Sequence, residues 1–145
     1  MVTGRNSPQF DRIKGVFEAE EIPFVRAHTL RMYFEFLKSN LLLPCILTGM
    51  ESLGYFRWEE RFSLGYGNKL EYERLRKQSG SFRDRYELKS WQGAVVEDDW
   101  DIFVNVYRIP YRKHFNIPLS ELQVEDKTSK NFQKLNDFSV WRVNW

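Results

Sequence analysis

The fold is decided by residues 100–109, which read Trp100-Asp101-Ile102-Phe103-Val104-Asn105-Val106-Tyr107-Arg108-Ile109. In an extended chain, successive side chains point to opposite faces. One face would then carry Trp100, Ile102, Val104 and Val106, and the other Phe103, Tyr107 and Ile109 with Asn105 among them. Because both faces hold apolar side chains, this stretch is predicted to be a central strand that is covered on both sides.

Four other stretches are predicted to be strands around this one. Residues 42–48 form a short apolar run whose Pro44 is typical of a strand edge or start. Residues 56–64, 84–90 and 114–119 alternate between polar and apolar side chains. Residues 92–99 and 120–125 are predicted to be connections. Because turns rather than crossover helices join these strands, an antiparallel sheet is expected.

Three helices are predicted. The first starts at Pro23, since proline is favoured at the first helical position, and ends near Asn40 ahead of Pro44. The second covers residues 69–77 with Asn68 as its cap, and the third covers about twelve residues after a Ser129 cap. Residues 10–17 are compatible with either a helical turn or an edge segment.

The C-terminus ends in an aromatic run that includes Phe138, Trp141 and Trp145. A free terminus frays unless it is tied down, and large aromatic side chains are costly to leave in water. The run is therefore predicted to dock and complete the core. The length of 145 residues suits one domain. Residues 1–9 are expected to be a flexible tail and residues 10–145 a single globular domain.

Composition narrows the class of protein without naming an activity. The formal net charge is only +2, which gives no strong prior for a polyanionic partner. The single cysteine, Cys45, allows no internal disulfide and is expected to be a small buried residue. No N-terminal apolar segment indicates secretion, and the longest apolar run, residues 41–47, is too short for a bilayer. A soluble cytoplasmic protein with no membrane contact is expected.

Four carboxylates in five residues form the first candidate site: Glu97, Asp98, Asp99 and Asp101. Calcium takes six to eight oxygen ligands, so carboxylates are suitable material for a calcium site. The spacing lacks the alternation, central glycine and distant glutamate of an EF-hand loop. The alternative is a solvated acidic turn that discourages edge pairing. The cofactor prediction is accordingly none, or calcium.

A basic and aromatic cluster at the other end of the strand forms the second candidate, a partner-binding site. Its residues are Tyr107, Arg108, Tyr111, Arg112, Lys113 and His114. Cations that contact phosphate beside rings that stack on bases are how single-stranded nucleic acid is held. The alternative is a hairpin tip kept soluble by charge. The two clusters would lie about 25–30 Å apart at roughly 3.3 Å per residue, so they cannot neutralise each other across a Debye length of about 8 Å.

Two short motifs carry a family resemblance. The step Leu43-Pro44-Cys45 and the segment Pro118-Leu119-Ser120-Glu121-Leu122 occur in the same order as in a group of small bacterial proteins commonly labelled calcium-binding. The chain is similar to that group over roughly residues 27–142, but it diverges between the motifs, as in the insertion at residues 65–79. The resemblance implies a helix that leads into a small barrel, and it implies no specific ligand set.

The predicted fold class is α+β, with a small antiparallel β-barrel or curled sheet of SH3-like type flanked by an N-terminal and a C-terminal helix. No catalytic constellation is recognisable: His28 and His114 lie far apart, and Gly65-Tyr66-Gly67-Asn68-Lys69 lacks the spacing of a phosphate loop. The leading functional prediction is a non-catalytic binding module for protein or nucleic acid. Calcium binding at residues 97–101 is one alternative, and an enzyme whose site assembles from residues far apart in the sequence is another. The oligomeric state is not predicted.

Overall fold

The structure is a computed structural model that describes residues 7–51 and 54–145. Within these ranges the chain forms five α-helices: α1 (Pro8–Phe17), α2 (Ala27–Asn40), α3 (Glu60–Ser63), α4 (Lys69–Gln78) and α5 (Lys130–Asn144). The same ranges contain six strands: β1 (Cys45–Gly49), β2 (Arg85–Leu88), β3 (Val95–Glu97), β4 (Asp101–Arg108), β5 (Lys113–Pro118) and β6 (Leu122–Val124). Two 3-10 turns cover Gly54–Glu59 and Leu119–Glu121. No helix in the described ranges is long and apolar enough to cross a bilayer.

The six strands form one antiparallel sheet in which β4 is central, as predicted, although its second face, with Phe103, Asn105 and Tyr107, is half-buried rather than fully covered. The order is β3-β4-β2-β1-β6, and β5 also pairs with β4. The first half of β4 pairs with β3, its last two residues pair with β2, and β5 pairs along most of its length. In the part of the chain that the structure describes, no ladder joins β5 to β6. The α+β prediction is therefore confirmed, and the sheet is open rather than a closed barrel.

The C-terminal aromatic run docks as predicted. Trp141 is 0% exposed, and its indole Nε1 donates a hydrogen bond to the carbonyl of Pro23 at 2.9 Å. Trp145 is half-buried and meets the ring of Phe10 edge-on, with centroids 5.1 Å apart. Helix α5 contacts α1, α2, β6 and the second 3-10 turn. The end of the chain thus ties both N-terminal helices to the sheet.

The two predicted helix N-caps, Asn68 and Ser129, are confirmed, whereas some helix boundaries differ from the prediction. The side chain of Asn68 accepts from the backbone N–H of Glu71 at 2.8 Å, and that of Ser129 accepts from Phe132 at 3.2 Å. Ser7 caps α1, so residues 7–9 belong to this helix and its cap, while residues 1–6 of the predicted tail lie outside the described residues. Helix α5 has 15 residues instead of about twelve.

The predicted helix start at Pro23 is wrong. Helix α2 begins at Ala27, after the extended residue Arg26. The backbone N–H of Arg26 donates to the hydroxyl of Thr29 at 2.9 Å, which satisfies one of the unpaired groups at a helix N-terminus. Pro23 instead presents its carbonyl to Trp141. A tertiary hydrogen bond therefore takes precedence over the preference of proline for a helical first turn.

The predicted strand over residues 56–64 is also wrong. These residues form the end of a 3-10 turn and the short helix α3. The buried positions are Phe56 and Glu59, three residues apart, which is a helical rather than a strand period. Alternating aromatic residues concealed this period, since Trp58, Phe62 and Phe56 satisfy a period of two equally well.

Strands β3 and β6 lie where connections were predicted. Each has only three residues, too few to show a reliable alternation. Their pairing is set by neighbours: Val96 lies opposite Ile102 of β4, and Gln123 lies opposite Thr48 of β1. These two strands are therefore products of the tertiary structure rather than of a local signal.

Candidate partner-binding face

The candidate site lies on one face of β2, β4 and β5. Alternate residues of β4 point inward, and Ile102, Val104 and Val106 are fully buried. The residues between them are half-buried and lie on the opposite face. Strand register places Glu87, Tyr107 and His114 in one row across the three strands, and Asn105 beside Asn116 in the next row.

Tyr107 and His114 form a ring pair at the centre of this face. Their ring centroids are 5.1 Å apart at an interplanar angle of 57°. The Nδ1 of His114 lies 3.0 Å from the Oδ1 of Asn105, whose amide nitrogen donates to Asn116 at 3.3 Å. The Nζ of Lys89 lies 5.1 Å from the centre of the Tyr107 ring. We call these residues the Tyr107 face: Glu87, Lys89, Asn105, Tyr107, His114 and Asn116.

The Tyr107 face contains a hollow of about 180 Å³. Its lining adds Ser90 and Gln92 to the Tyr107 face, with Asn116 outside the hollow. Apart from the two rings, this lining consists of hydroxyl, amide, amine and carboxylate groups. Such a surface offers one stacking position surrounded by hydrogen-bonding groups, and it lacks the apolar centre of a typical protein interface.

Arg108, one of the predicted partner-binding residues, is buried inside the fold rather than presented on its surface. Its side chain is 0% exposed. The guanidinium donates to the carbonyl oxygens of Arg76 at 2.9 Å, Lys77 at 2.6 Å and Ser79 at 2.7 Å. These carbonyls belong to the end of α4, where the last backbone acceptors have no intrahelical partner. Arg108 therefore acts as an interior cap for this helix.

Two further residues of the predicted basic cluster, Lys113 and Tyr111, lie beside the contact between Arg108 and the end of α4. The Nζ of Lys113 donates to the carbonyl of Gln78 at 3.1 Å. The ring of Tyr111, 47% exposed, lies with its centre 5.2 Å from the Arg108 guanidinium. Arg112 is exposed and has a φ of 39°, in the left-handed region. Of the six predicted residues, the structure places Tyr107 and His114 together in the Tyr107 face and leaves Arg112 as an exposed cation in the turn between β4 and β5.

The four carboxylates of the predicted metal site do not converge. The Oδ1 of Asp99 accepts from the backbone N–H of Ala27 at 2.6 Å, at the start of α2. Asp101 is buried, while Glu97 and Asp98 are exposed. Within residues 7–51 and 54–145, no group of three or more His, Cys, Asp and Glu side chains is placed to hold a metal ion. Calcium binding at this segment stays a prediction that this geometry does not support.

Asp101 joins three elements instead. It accepts from the Ser120 hydroxyl at 2.5 Å and from the backbone N–H of Ile102 at 2.8 Å. The Nε of Arg142, on α5, lies 3.5 Å from the same carboxylate. Burial raises the pKa of Asp101, and these hydrogen bonds oppose that shift in part. Burial also raises the pKa of the neighbouring Glu121, which accepts from the N–H of Tyr55.

The raised pKa of Asp101 predicts a pH-dependent effect of substitution. Because the folded chain holds this proton more tightly than the unfolded chain, the contribution of Asp101 to stability falls as pH rises from about 4 through the folded pKa. We expect the stability of Asp101→Asn relative to the unsubstituted protein to increase as pH rises from about 4, and to stop increasing above the folded pKa of Asp101. Urea unfolding at each pH measures this difference, and exposed Asp98→Asn is the control. A difference that is constant or falls with pH would contradict the assignment.

Sequence reasoning missed four members of the Tyr107 face: Glu87, Lys89, Asn105 and Asn116. The alternation of β4 did place Asn105 on the face of Tyr107. The two strands that flank it could not be aligned from sequence, because a shift of one residue exchanges the two faces. A cross-strand register was the missing information.

Comparisons of this chain with known protein families, with curated proteins and with solved structures find no match.

Proposed function

We propose that this protein is a non-catalytic binding module that holds a single strand of nucleic acid on the Tyr107 face. The observation that carries the proposal is the ring pair of Tyr107 and His114, 5.1 Å apart in a hollow bordered by amide and amine groups. Aromatic side chains on a sheet provide stacking platforms for unpaired bases, and amide side chains supply hydrogen bonds to base edges.

The strand connections support an SH3-like arrangement for this module. Strands β2, β4 and β5 lie side by side in the sheet as antiparallel neighbours. After the 3-10 turn at Leu119–Glu121, the chain returns to pair β6 with β1. A small rigid sheet of this kind presents its outer face without rearrangement. Preorganisation of the contact surface lowers the entropic cost of binding.

The charges around the face favour a polyanion. Lys89 lies over the ring of Tyr107, and Arg112 is exposed at the following turn. The one carboxylate in the row, Glu87, is half-buried and lies 3.9 Å from the Nζ of Lys89. Exposed cations near a stacking position can contact the phosphates of a strand whose base is stacked there.

Tyr107→Ala is expected to weaken binding of single-stranded nucleic acid about tenfold, because stacking one base on an aromatic ring contributes roughly 1–3 kcal/mol. Fluorescence anisotropy with labelled oligouridylate and oligothymidylate measures the affinity. Tyr107→Phe keeps the stacking surface and should bind nearly as well as the unsubstituted chain. Tyr66→Ala, which removes an exposed tyrosine that is not part of the Tyr107 face, is the matched control. Thermal melting of each variant establishes that it is folded.

The cations give a second readout in the same assay. Lys89→Ala combined with Arg112→Ala should reduce the slope of log affinity against log salt by about 1.4, since each phosphate contact on a single strand contributes about 0.7. Lys127→Ala with Lys130→Ala removes two exposed cations of another hollow and should leave the slope unchanged. A flat salt response, or equal affinity of Tyr107→Ala and the unsubstituted chain, would contradict nucleic-acid binding and point to a polypeptide partner.

A further inference from the structure

A second hollow lies between α3, α4 and the turn after α4. Its volume is about 400 Å³, within the range of roughly 300–1,000 Å³ typical of small-molecule sites. The side chains that matter for a ligand are one carboxylate, three aromatic rings and two cations: Glu59, Phe62, Tyr66, Tyr72, Lys69 and Arg83. This hollow is separate from the Tyr107 face and shares no lining residue with it.

Glu59 is the most buried residue of the lining, at 2% exposure. Its carboxylate accepts from the hydroxyl of Ser81 at 2.8 and 2.9 Å and from the phenol of Tyr72 at 2.7 Å. No cation of residues 7–51 or 54–145 lies within 4.0 Å of it. Buried carboxylates are usually paired with a cation, and two hydroxyl donors leave acceptor sites free. Glu59 therefore retains the capacity to bind an ammonium group.

Aromatic rings form the wall beside this carboxylate. The rings of Phe62 and Tyr72 are 5.1 Å apart, and Trp58 packs behind Tyr72 at 5.9 Å. Tyr66 lies in the loop between α3 and α4 and is 67% exposed. Gly67 in this loop has a φ of 83°, and a Cβ there would clash with the Phe62 ring. The glycine lets the loop close over Phe62 and shape the hollow.

The two cations lie at the exposed side. Lys69 and Arg83 are both exposed, and neither forms an ion pair with any residue in the described part of the chain. Arg83 stacks over Phe82 with its guanidinium carbon 5.2 Å from the ring centre. A planar guanidinium held in this way is suited to a carboxylate, which it binds through two parallel hydrogen bonds.

We propose that this hollow binds a free aromatic α-amino acid. Glu59 receives the ammonium group, Arg83 and Lys69 receive the carboxylate, and Phe62, Tyr66 and Tyr72 enclose the side chain. A ligand with both charges and an apolar ring uses every feature of the lining. An amine alone would leave the two cations unused and repelling, and a carboxylate alone would meet Glu59.

Calorimetric titration with three probes tests this assignment: L-phenylalanine, 3-phenylpropionate and phenethylamine. Phenylalanine should bind tightest. Arg83→Gln should weaken phenylalanine and phenylpropionate about tenfold, because a charge-assisted contact to the carboxylate is lost, and it should not weaken phenethylamine, which has no carboxylate and which Arg83 repels. Glu59→Gln should weaken phenylalanine and phenethylamine, and it should not weaken phenylpropionate, whose carboxylate Glu59 repels. Arg112→Gln and Tyr107→Ala, both outside the hollow, should change none of the three affinities.

The variants remain informative if Glu59→Gln fails to fold. Arg83 and Tyr66 are exposed, so Arg83→Gln and Tyr66→Ala keep the fold and each should still weaken phenylalanine. The inference is overturned if phenylalanine shows no saturable binding, or if Arg83→Gln and Tyr66→Ala bind it as tightly as the unsubstituted chain. Because the Tyr107 face is not involved, this outcome is independent of nucleic-acid binding.

Discussion

Replacing Arg108 with methionine is expected to lower the free energy of unfolding by about 3–5 kcal/mol. The side chain is completely buried, and its guanidinium serves three carbonyl groups at the end of α4. It also lies 3.7 Å from Asp84, which is itself buried. Because methionine fills much of the same volume, the loss of stability measures the cost of leaving three carbonyl groups at the end of α4 without donors, rather than the cost of an empty cavity.

Two features reduce this loss without removing it. The Nε of Arg108 is buried without a hydrogen-bond partner, so methionine relieves one unsatisfied donor. Asp84 keeps its ion pair with Arg76 at 2.5 Å and its hydrogen bond from the N–H of Ser81 at 3.1 Å. The three carbonyl groups have no replacement partner. Urea unfolding with the slope held in common between variants measures the difference.

Arg112→Met is the matched control, since it removes an arginine four residues away that is exposed. Its effect on stability should stay within about 0.5 kcal/mol. If Arg108→Met folds with normal stability and loses affinity for nucleic acid, then Arg108 is a partner contact after all and the interior-cap assignment is wrong. If Arg112→Met alone loses affinity, the division between scaffold and contact residues stands.

Trp141→Ala is expected to lower the free energy of unfolding by a similar amount, about 3–5 kcal/mol. The indole is fully buried, and its ring packs against Phe17, Tyr33 and Phe138 at centroid distances of 5.2, 5.1 and 6.1 Å. Removing it leaves a cavity where α1, α2 and α5 meet. It also leaves the Pro23 carbonyl without its donor.

Val143→Ala on the same helix separates this packing effect from a change in helix propensity. Val143 is 71% exposed, so its truncation should change stability by less than about 0.5 kcal/mol. Both variants are compared by urea unfolding. A small loss in Trp141→Ala, close to that in Val143→Ala, would show that the end of the chain is not part of the core.

These two results together bear on function. Arg108 holds α4 against the sheet, Trp141 holds α5 against α1 and α2, and both side chains are buried away from the Tyr107 face. A binding surface on a sheet is best served by a scaffold that does not move, because ordering a loose scaffold on binding costs affinity. Variants that loosen either helix should therefore lower affinity only as far as they lower the folded fraction.

The local sequence determined the elements with strong periodic or capping signals. The alternation of residues 100–109 specified a central strand, Asn68 and Ser129 specified the starts of α4 and α5, and the aromatic C-terminus specified its own burial. Each of these signals is physical and short-range: a side chain that must leave water, or an oxygen that satisfies a free N–H.

Only the tertiary structure decided which polar groups remain available to a partner. Arg108 and Arg112 look alike in sequence, yet one caps α4 from the interior and the other stays in solvent. Asp101 and Asp99 look like metal ligands, yet each is bonded to the backbone or side chains of another element. The Tyr107 face depends on strand register, and the hollow around Glu59 depends on a loop that closes over Phe62. Contacts between residues far apart in the chain determine whether a charged side chain is buried or exposed, and a local sequence pattern does not contain this information.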